Sequence, residues 1–378
     1  MSAKRLNCGG VIVFNDFRND SRVEKTCRSL SDCGYDITVF AFGGHGLPSY
    51  EKRDGLRIYR SGGLGRIERL IRLSFRFLST AYKLDFIHCN DLEPLPLCVL
   101  AKLLKFGKTK LFYDAHELET EKLAARGWRQ PLSRFLERAL ISSADAVITV
   151  SDRIASWYAE CYDCETPQVI INSPVKWRTR KEDLFRDSFT IPSSMQIFLY
   201  LGGLQQGRAI EPMLEAFTGA DRIALVFMGY GGTSSEGKRL DALVRKTAGL
   251  HPNIFFHEPV RQSELPNYVS SADVGLCLIE DMCLSYRYCL PNKLFEYAMG
   301  GLPVIVSDLP EMRDKVEHYN CGIVCRDFSE EGILESVEEV LKGFDSFGAN
   351  ARNMAWENCW EVQEKKLLAV YENILEAA

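Results

Sequence analysis

The sequence predicts an α/β protein made of two doubly wound parallel-sheet domains, and three observations carry that prediction. Short apolar runs rich in β-branched residues alternate with helical patterns along the chain, as expected of parallel strands covered by helices. The alternation is interrupted over 173–194, where periodicity is lost and Lys176, Arg178, Arg180, Lys181 and Arg186 stand among acids. A length of 378 residues with 46% hydrophobic side chains favours two buried cores over one.

Strands are expected at 10–14, 36–40, 56–59, 85–88, 110–113, 146–150 and 168–171 in the first half. In the second half they are expected at 197–201, 223–228, 254–257, 274–279, 304–307 and 322–324. The run Asp273-Val274-Gly275-Leu276-Cys277-Leu278-Ile279 is the clearest, because a strand covered on both faces has no polar alternation. Helical periodicity closes the chain over 346–375. No fixed short repeat and no low-complexity tract is present. The expected architecture is two Rossmann-like domains, 1–178 and 179–355, facing a central cleft, with a last helix over 356–378 that packs back on the first domain.

Composition removes several function classes. No apolar run approaches the roughly eighteen residues that a membrane-crossing helix needs. Lys4 and Arg5 precede only Val11-Ile12-Val13-Phe14, too short for a secretory leader, so that run is read as the first strand. Thirteen scattered cysteines, an odd number, suit a reducing compartment where thiols act as small buried hydrophobes, and the expected location is the cytoplasm. Cys161-Tyr162-Asp163-Cys164 has metal-like spacing but lacks a second pair or a nearby histidine, so no metal site is expected. The net charge of −5 divides unevenly. Residues 1–180 hold 28 Lys and Arg against 21 Asp and Glu, a balance of +7, which leaves 18 against 30, or −12, for the remainder. The first half is therefore expected to face something anionic, though not a nucleic acid.

The stretch Leu290-Pro291-Asn292-Lys293-Leu294-Phe295-Glu296-Tyr297-Ala298-Met299-Gly300-Gly301 follows the clearest strand. Pro291 suits a first helical position and Gly300-Gly301 a stop, so a short helix is expected whose first turn carries Lys293 and Glu296 on one side. A helix start at the carboxyl end of a parallel strand offers N–H groups and partial positive charge, which suits a nucleoside diphosphate. The segment resembles the donor-site signature of glycosyltransferase family 4, retaining enzymes of GT-B architecture, and the resemblance extends over nearly the whole chain. By that resemblance Glu296 is the second glutamate of an E-x7-E pattern and holds the donor ribose, while Tyr288 stands at the place of the first. Leu290, Pro291 and Asn292 join Lys293 as implied donor contacts.

Leu201-Gly202-Gly203-Leu204-Gln205-Gln206-Gly207-Arg208 lies between a strand and a helical segment, where glycines admit a ligand and a basic group neutralises phosphate. Its alternative is a tight turn with an exposed arginine. The loop resembles the family's glycine-rich loop, with Arg208 at the place of a lysine and Gly203 at that of an arginine. The resemblance also puts Gly229 in a turn under the nucleotide, and His257 and Pro259 in a segment whose backbone recognises the base. His257 is equally readable as a solvent-facing strand end.

Phe112-Tyr113-Asp114-Ala115-His116-Glu117-Leu118 ends a strand with three ionisable groups in four residues. It resembles the motif whose histidine, here His116, contacts the transferred sugar near the reacting carbon; Asp114 and Glu117 are assigned to the acceptor side. After the first strand, 15–23 opens a helix that Asp20 or Ser21 would cap, with Asp16 and Arg22 as acceptor-side residues. Segment 64–78 sets Arg66, Arg69, Arg72 and Arg76 at helical spacing among large apolar side chains. That pattern suits either an anionic membrane surface or an ordinary surface helix packed on its sheet.

The resemblance implies a retaining, metal-independent hexosyltransferase whose catalytic groups are His116, Arg208, Lys293 and Glu296. Its implied donor is a UDP- or GDP-sugar, needed as substrate with no further cofactor, and its acceptor a glycan or lipid-linked glycan of cell-surface polysaccharide synthesis. A catalytically silent subunit of this fold and a nucleotide-sugar epimerase are the rival readings.

Overall fold

The computed structural model describes residues 7–18, 20–125 and 127–376. Lys4, Arg5 and Asn19 lie outside the described residues. Contacts divide the chain into two compact units, one taking in the described residues up to Ile171 together with those from Gln363 onward, the other running Asn172–Val362.

The first unit is built on β1 (Cys8–Ile12), β2 (Asp36–Phe42), β3 (Tyr50–Arg53), β4 (Leu56–Ser61), β5 (Phe86–Asn90), β6 (Lys110–Asp114), β7 (Ala146–Thr149) and β8 (Gln168–Val169). Their order in the sheet is β3-β4-β2-β1-β5-β6-β7-β8. All neighbours are parallel except β3, which pairs antiparallel with β4 at the edge. The sequence pattern does not mark β3, because Tyr50-Glu51-Lys52-Arg53 is polar, as a solvent-facing edge strand tolerates. Its one signal is Asp54-Gly55, both at positive φ (51° and 79°), the two-residue turn that closes a tight hairpin.

The second unit holds β9 (Gln196–Gly203), β10 (Ile223–Tyr230), β11 (Ile254–His257), β12 (Val274–Cys277), β13 (Val304–Ser307) and β14 (Gly322–Cys325), parallel throughout in the order β11-β10-β9-β12-β13-β14. Strand order reverses between β9 and β12 here, and between β1 and β5 in the first unit. Such switch points leave a crevice at the carboxyl ends of the strands.

The segment expected as a linker is partly ordered by the second unit. Trp360 N–H donates to Pro174 O (2.8 Å), Lys176 N–H to the Glu361 carboxylate (2.9 Å), and a helix forms at Leu184–Phe189. The closing helical region is two helices, Phe344–Asn358 and Trp360–Glu376, separated where Cys359 turns extended (ψ 164°). The last of these completes the first unit. Gln363 Oε1 accepts the Ile171 N–H (3.1 Å), and the Tyr371 ring stacks on Phe112 at 3.9 Å and meets Phe86 edge-on at 5.2 Å.

Candidate active site

At the β9/β12 switch point the second unit opens a cavity of about 390 Å³. Of the residues singled out in the sequence, Gly202, Gly203, Arg208, Gly229, Pro259, Pro291, Asn292, Lys293 and Glu296 line it. The two strand tips are pressed together there. Gly202 pairs with Gly229, and a Cβ on Gly229 would stand 1.9 Å from Gly202 O. Gly202 itself has φ +113°, which an L side chain rarely adopts, and turns its open side toward Lys293 Nζ, 3.9 Å from where a Cβ would be.

Two cations converge on this cavity, each seated on an aromatic ring. Lys293 Nζ is 3.9 Å from the centroid of Tyr200, and the Arg208 guanidinium 4.6 Å from that of Tyr286. Burial pulls the Lys293 ammonium down to about 8, opposed by the Cys277 thiol and reinforced by the charge of Arg208. The helix Asn292–Gly300 begins one residue later than expected, with Pro291 as its N-cap rather than its first helical residue. No side chain caps this start; the Leu294 N–H turns back to Pro291 O (3.1 Å), and the helix start lines the cavity through Pro291, Asn292 and Lys293, beside the two cations. Glu296 follows one turn on.

Tyr297, unremarked in the sequence reading, holds this helix in place. Its buried hydroxyl accepts the Leu201 N–H (2.7 Å) and donates to Leu276 O (3.1 Å), joining the helix to β9 and β12. Gly275 makes room for the ring, since a Cβ there would lie 2.3 Å from Tyr297 Cγ. Tyr200, Gln205, Tyr230 and Gln262 also line the cavity without a sequence signal of their own; in β9 and β10 the tyrosines read simply as strand residues. Three expected donor residues do not line it. Leu290 is buried, and Tyr288 closes the short helix Leu284–Arg287. The His257 ring lies against Tyr268 (4.7 Å), with Nδ1 toward Glu258 O (2.6 Å), because the end of β11 is covered by aromatic side chains.

In the first unit a charged cluster forms at the carboxyl ends of β5 and β6. Arg22 grips Asp114 with two hydrogen bonds, Nε to Oδ2 at 2.9 Å and Nη2 to Oδ1 at 2.7 Å, and donates from Nη1 to Ile170 O (2.7 Å). Both side chains, expected on the acceptor side, are at most 2% exposed: they pair inward and position their neighbours. Although burial disfavours its charge, Asp114 is held well below the usual carboxylate range by Arg22 and His116. His116 Nε2 meets Asn90 Oδ1 (3.2 Å) and Asp114 (3.5 Å), and Nδ1 faces Asp91 at 3.6 Å. Burial alone would lower the imidazole, but Asp91 and Asp114 push it up to about 9, so it is imidazolium at neutral pH.

Asn90 and Asp91 are site residues that the sequence pattern did not disclose; Asp91 sits at the end of β5 with φ +65°, and that strained position is visible only in the fold. Glu119, raised to about 8 by burial and by Asp91, pairs with Lys122, whose ammonium is also 3.6 Å from the exposed Glu117. Asp20 caps the first helix by accepting the Val23 N–H, and Asp16 is paired with Arg18. Tyr113 is structural, since its hydroxyl donates to buried Glu137, which also accepts from Tyr158 and Tyr162.

Segment 64–78 forms the helix Arg66–Ala81, buried through Leu73, Phe77 and Ala81. Its arginines are largely engaged within the unit: Arg66 with Glu93, Arg72 with Glu68, and Arg76 over the Tyr59 ring. Arg66, Arg72 and Arg76 remain exposed, and large apolar side chains are exposed beside them. Leu64, Ile67, Ile71 and Phe75 project here, Leu103, Leu104 and Phe106 at the adjoining helix Leu95–Leu104, and Trp128, Leu132 and Phe135 at the next, Arg129–Ile141. Among the described residues no helix is long and apolar enough to cross a membrane, and no group of three or more His, Cys, Asp or Glu could hold a metal ion.

Residues 20–173 match the family model described as a glycosyl transferase 4-like domain, and residues 195–343 the one described as glycosyl transferases group 1. A chitobiosyldiphosphodolichol beta-mannosyltransferase of Debaryomyces hansenii is 24% identical over 337 residues, 77% of this chain and 69% of that protein. Among solved structures, sucrose-phosphate synthase from Thermosynechococcus elongatus superposes with a TM-score of 0.80 at 18% identity, covering 98% of this chain and 100% of the other. Anabaena Alr3699/HepE in complex with UDP-glucose does so with a TM-score of 0.71 at 12% identity, covering 98% of each chain.

Proposed function

The chain belongs to the glycosyltransferases of the family 4 type, with the GT-B fold, and from that premise we propose that it transfers a hexosyl group from a UDP- or GDP-sugar to a lipid-linked glycan. The observation that carries this is the convergence of Arg208, Lys293 and an uncapped helix start on one cavity, a combination that suits a diphosphate, with Glu296 a turn away for the ribose. Pro259 and Gly229 would lie along the nucleotide. His116, cationic at neutral pH, would meet the transferred sugar in the reacting complex.

The reaction is proposed to retain configuration without a metal ion, the cations and the helix start stabilising the leaving diphosphate while its phosphate helps take the acceptor proton. One observation favours inversion instead, namely that the Debaryomyces relative is named a beta-mannosyltransferase. In that case Asp91, beside His116, is the carboxylate to take the acceptor proton. The anomeric configuration of the product, read by proton NMR, decides between the two.

The place of action is proposed to be the cytoplasmic face of a membrane, in the building of cell-surface polysaccharide. The exposed apolar side chains of three neighbouring helices, with exposed Lys83, Lys108 and Arg129 close by in sequence, complement an anionic lipid surface.

A thermal-shift screen against UDP-, GDP-, dTDP- and ADP-sugars identifies the donor, and calorimetry on Glu296→Gln tests the site. Loss of one charge-assisted hydrogen bond is expected to weaken donor binding by roughly ten- to a hundred-fold. Unchanged affinity would reject the ribose assignment.

A further inference from the structure

The carboxyl ends of β2 and β4 enclose a second cavity, of about 380 Å³, wholly within the first unit. Glycine pairs at 43–44 and 62–63 form part of its wall, and His45, Arg60 and Arg69 supply the basic side chains. Close approach requires Gly43 and Gly44: Gly43 N–H donates to Ser61 O at 2.7 Å, a Cβ on Gly43 would lie 2.7 Å from Gly62 Cα, and one on Gly44 2.6 Å from Asp16 Oδ2. Larger residues would spread the two loops or fill the space.

Arg60 is built in rather than loosely placed. It is 4% exposed, with Nε donating to Asp16 O (3.0 Å) and Nη1 to the Glu51 carboxylate (2.6 Å). Arg69 enters from the first turns of the helix Arg66–Ala81, its guanidinium 5.7 Å from the Phe42 ring and its Nη1 3.5 Å from Gly43 O. Its Nε is buried and has no hydrogen-bond partner among the described residues. Among the described residues the guanidinium has no carboxylate partner and only the long contact to Gly43 O, so an anion in the cavity it lines would meet a charge not yet neutralised. The nearby carboxylates are already committed: Glu51 to Arg60, Asp16 to Arg18, and Glu68 to Arg72 and the Leu64 N–H.

We propose that this cavity binds a phosphate group of the acceptor, carried on a lipid. The assignment rests on the reading of the chain as a transferase for lipid-linked acceptors. The lipid is indicated by what adjoins the cavity. Leu64 follows directly on Gly63, and Leu64, Ile67, Ile71 and Phe75 are exposed on or beside the helix that supplies Arg69. A phosphate held by Arg69 would therefore leave its hydrocarbon chain beside apolar side chains open to a bilayer.

The test uses the full chain carrying Arg208→Met and Lys293→Met, so that the donor cations no longer compete for a diphosphate. Calorimetric titration with farnesyl diphosphate is expected to give saturable binding with one site per chain. Adding Arg69→Gln and His45→Asn should weaken it about ten-fold or more with circular dichroism unchanged. No binding, or binding indifferent to the added substitutions, overturns the site. Inorganic pyrophosphate in the same titration should bind more weakly than farnesyl diphosphate, and equal affinity overturns the lipid as its source. The donor reading fails separately, if UDP and GDP bind the Arg208→Met, Lys293→Met chain as they bind the parent.

Discussion

At the scale of single residues, Lys293 sets stability against function. Its folded value of about 8 lies below the ordinary lysine value. Folding therefore carries a cost at every pH below about 8, and stability recovers as pH rises through the window above it. Lys293→Met should raise the unfolding free energy of the ligand-free protein at pH 7 by on the order of 1 kcal/mol once partial exposure is discounted, and its melting temperature with it. The same change should weaken nucleoside-diphosphate binding about ten-fold or more, and calorimetry with and without UDP or GDP checks both effects. Because a bound diphosphate holds the ammonium proton, the parent's affinity should be level up to about pH 8 and decline above it, with no such decline in the variant. His116 has the opposite sign. Raised from 6.5 to about 9, its imidazolium stabilises the first unit fully below pH 6.5, and that contribution is lost as pH rises through 9. The parent should exceed His116→Gln in unfolding free energy by on the order of 2 kcal/mol more at pH 6.5 than at pH 9.5, measured in urea. Equal differences at the two pH values would remove the imidazolium from this account.

At the scale of elements, the donor cavity depends on how one short helix is pinned to two strands. Tyr297→Phe leaves the ring in its space beside Gly275 but strips the Leu201 N–H and Leu276 C=O of their shared partner. It should cost about 1–3 kcal/mol in urea unfolding and weaken donor binding, although Tyr297 itself does not line the cavity. Parent-like donor affinity in this variant would show that the helix start is held without it. The element level is also where sequence reading succeeds unevenly. Parallel strands such as β10 and β12 are covered on both faces and so appear as unbroken apolar runs. The edge strand β3 is covered on neither scale of that pattern, and only Asp54-Gly55 signals it. The break at Cys359 has no Gly or Pro to mark it, and helical periodicity passes through it undisturbed.

For the whole molecule, the proposed membrane contact is tested through its surface side chains. The arginines of 66–76 are largely spent on intramolecular partners, so replacing Ile67, Ile71 and Phe75 by serine should reduce sedimentation with anionic vesicles more than replacing Arg66 and Arg72 by glutamine. If only the arginine changes mattered, the apolar face would lose its proposed role. The sequence by itself determined that this is a glycosyltransferase built on two parallel α/β sheets. Resemblance to the family's donor-site segments put Gly202, Arg208, Lys293 and Glu296 together, and they line one cavity; the strands, glycine turns and helix starts that carry them are short-range features written along the chain. Tertiary structure alone decided that Arg22 and Asp114 are an inward pair, that Asn90 and Asp91 stand beside His116, and that Arg69 meets Arg60 at a cavity between β2 and β4. Pairings of this kind join positions far apart in sequence, and a side chain's burial and partners are fixed by the packing of strands that no local pattern encodes.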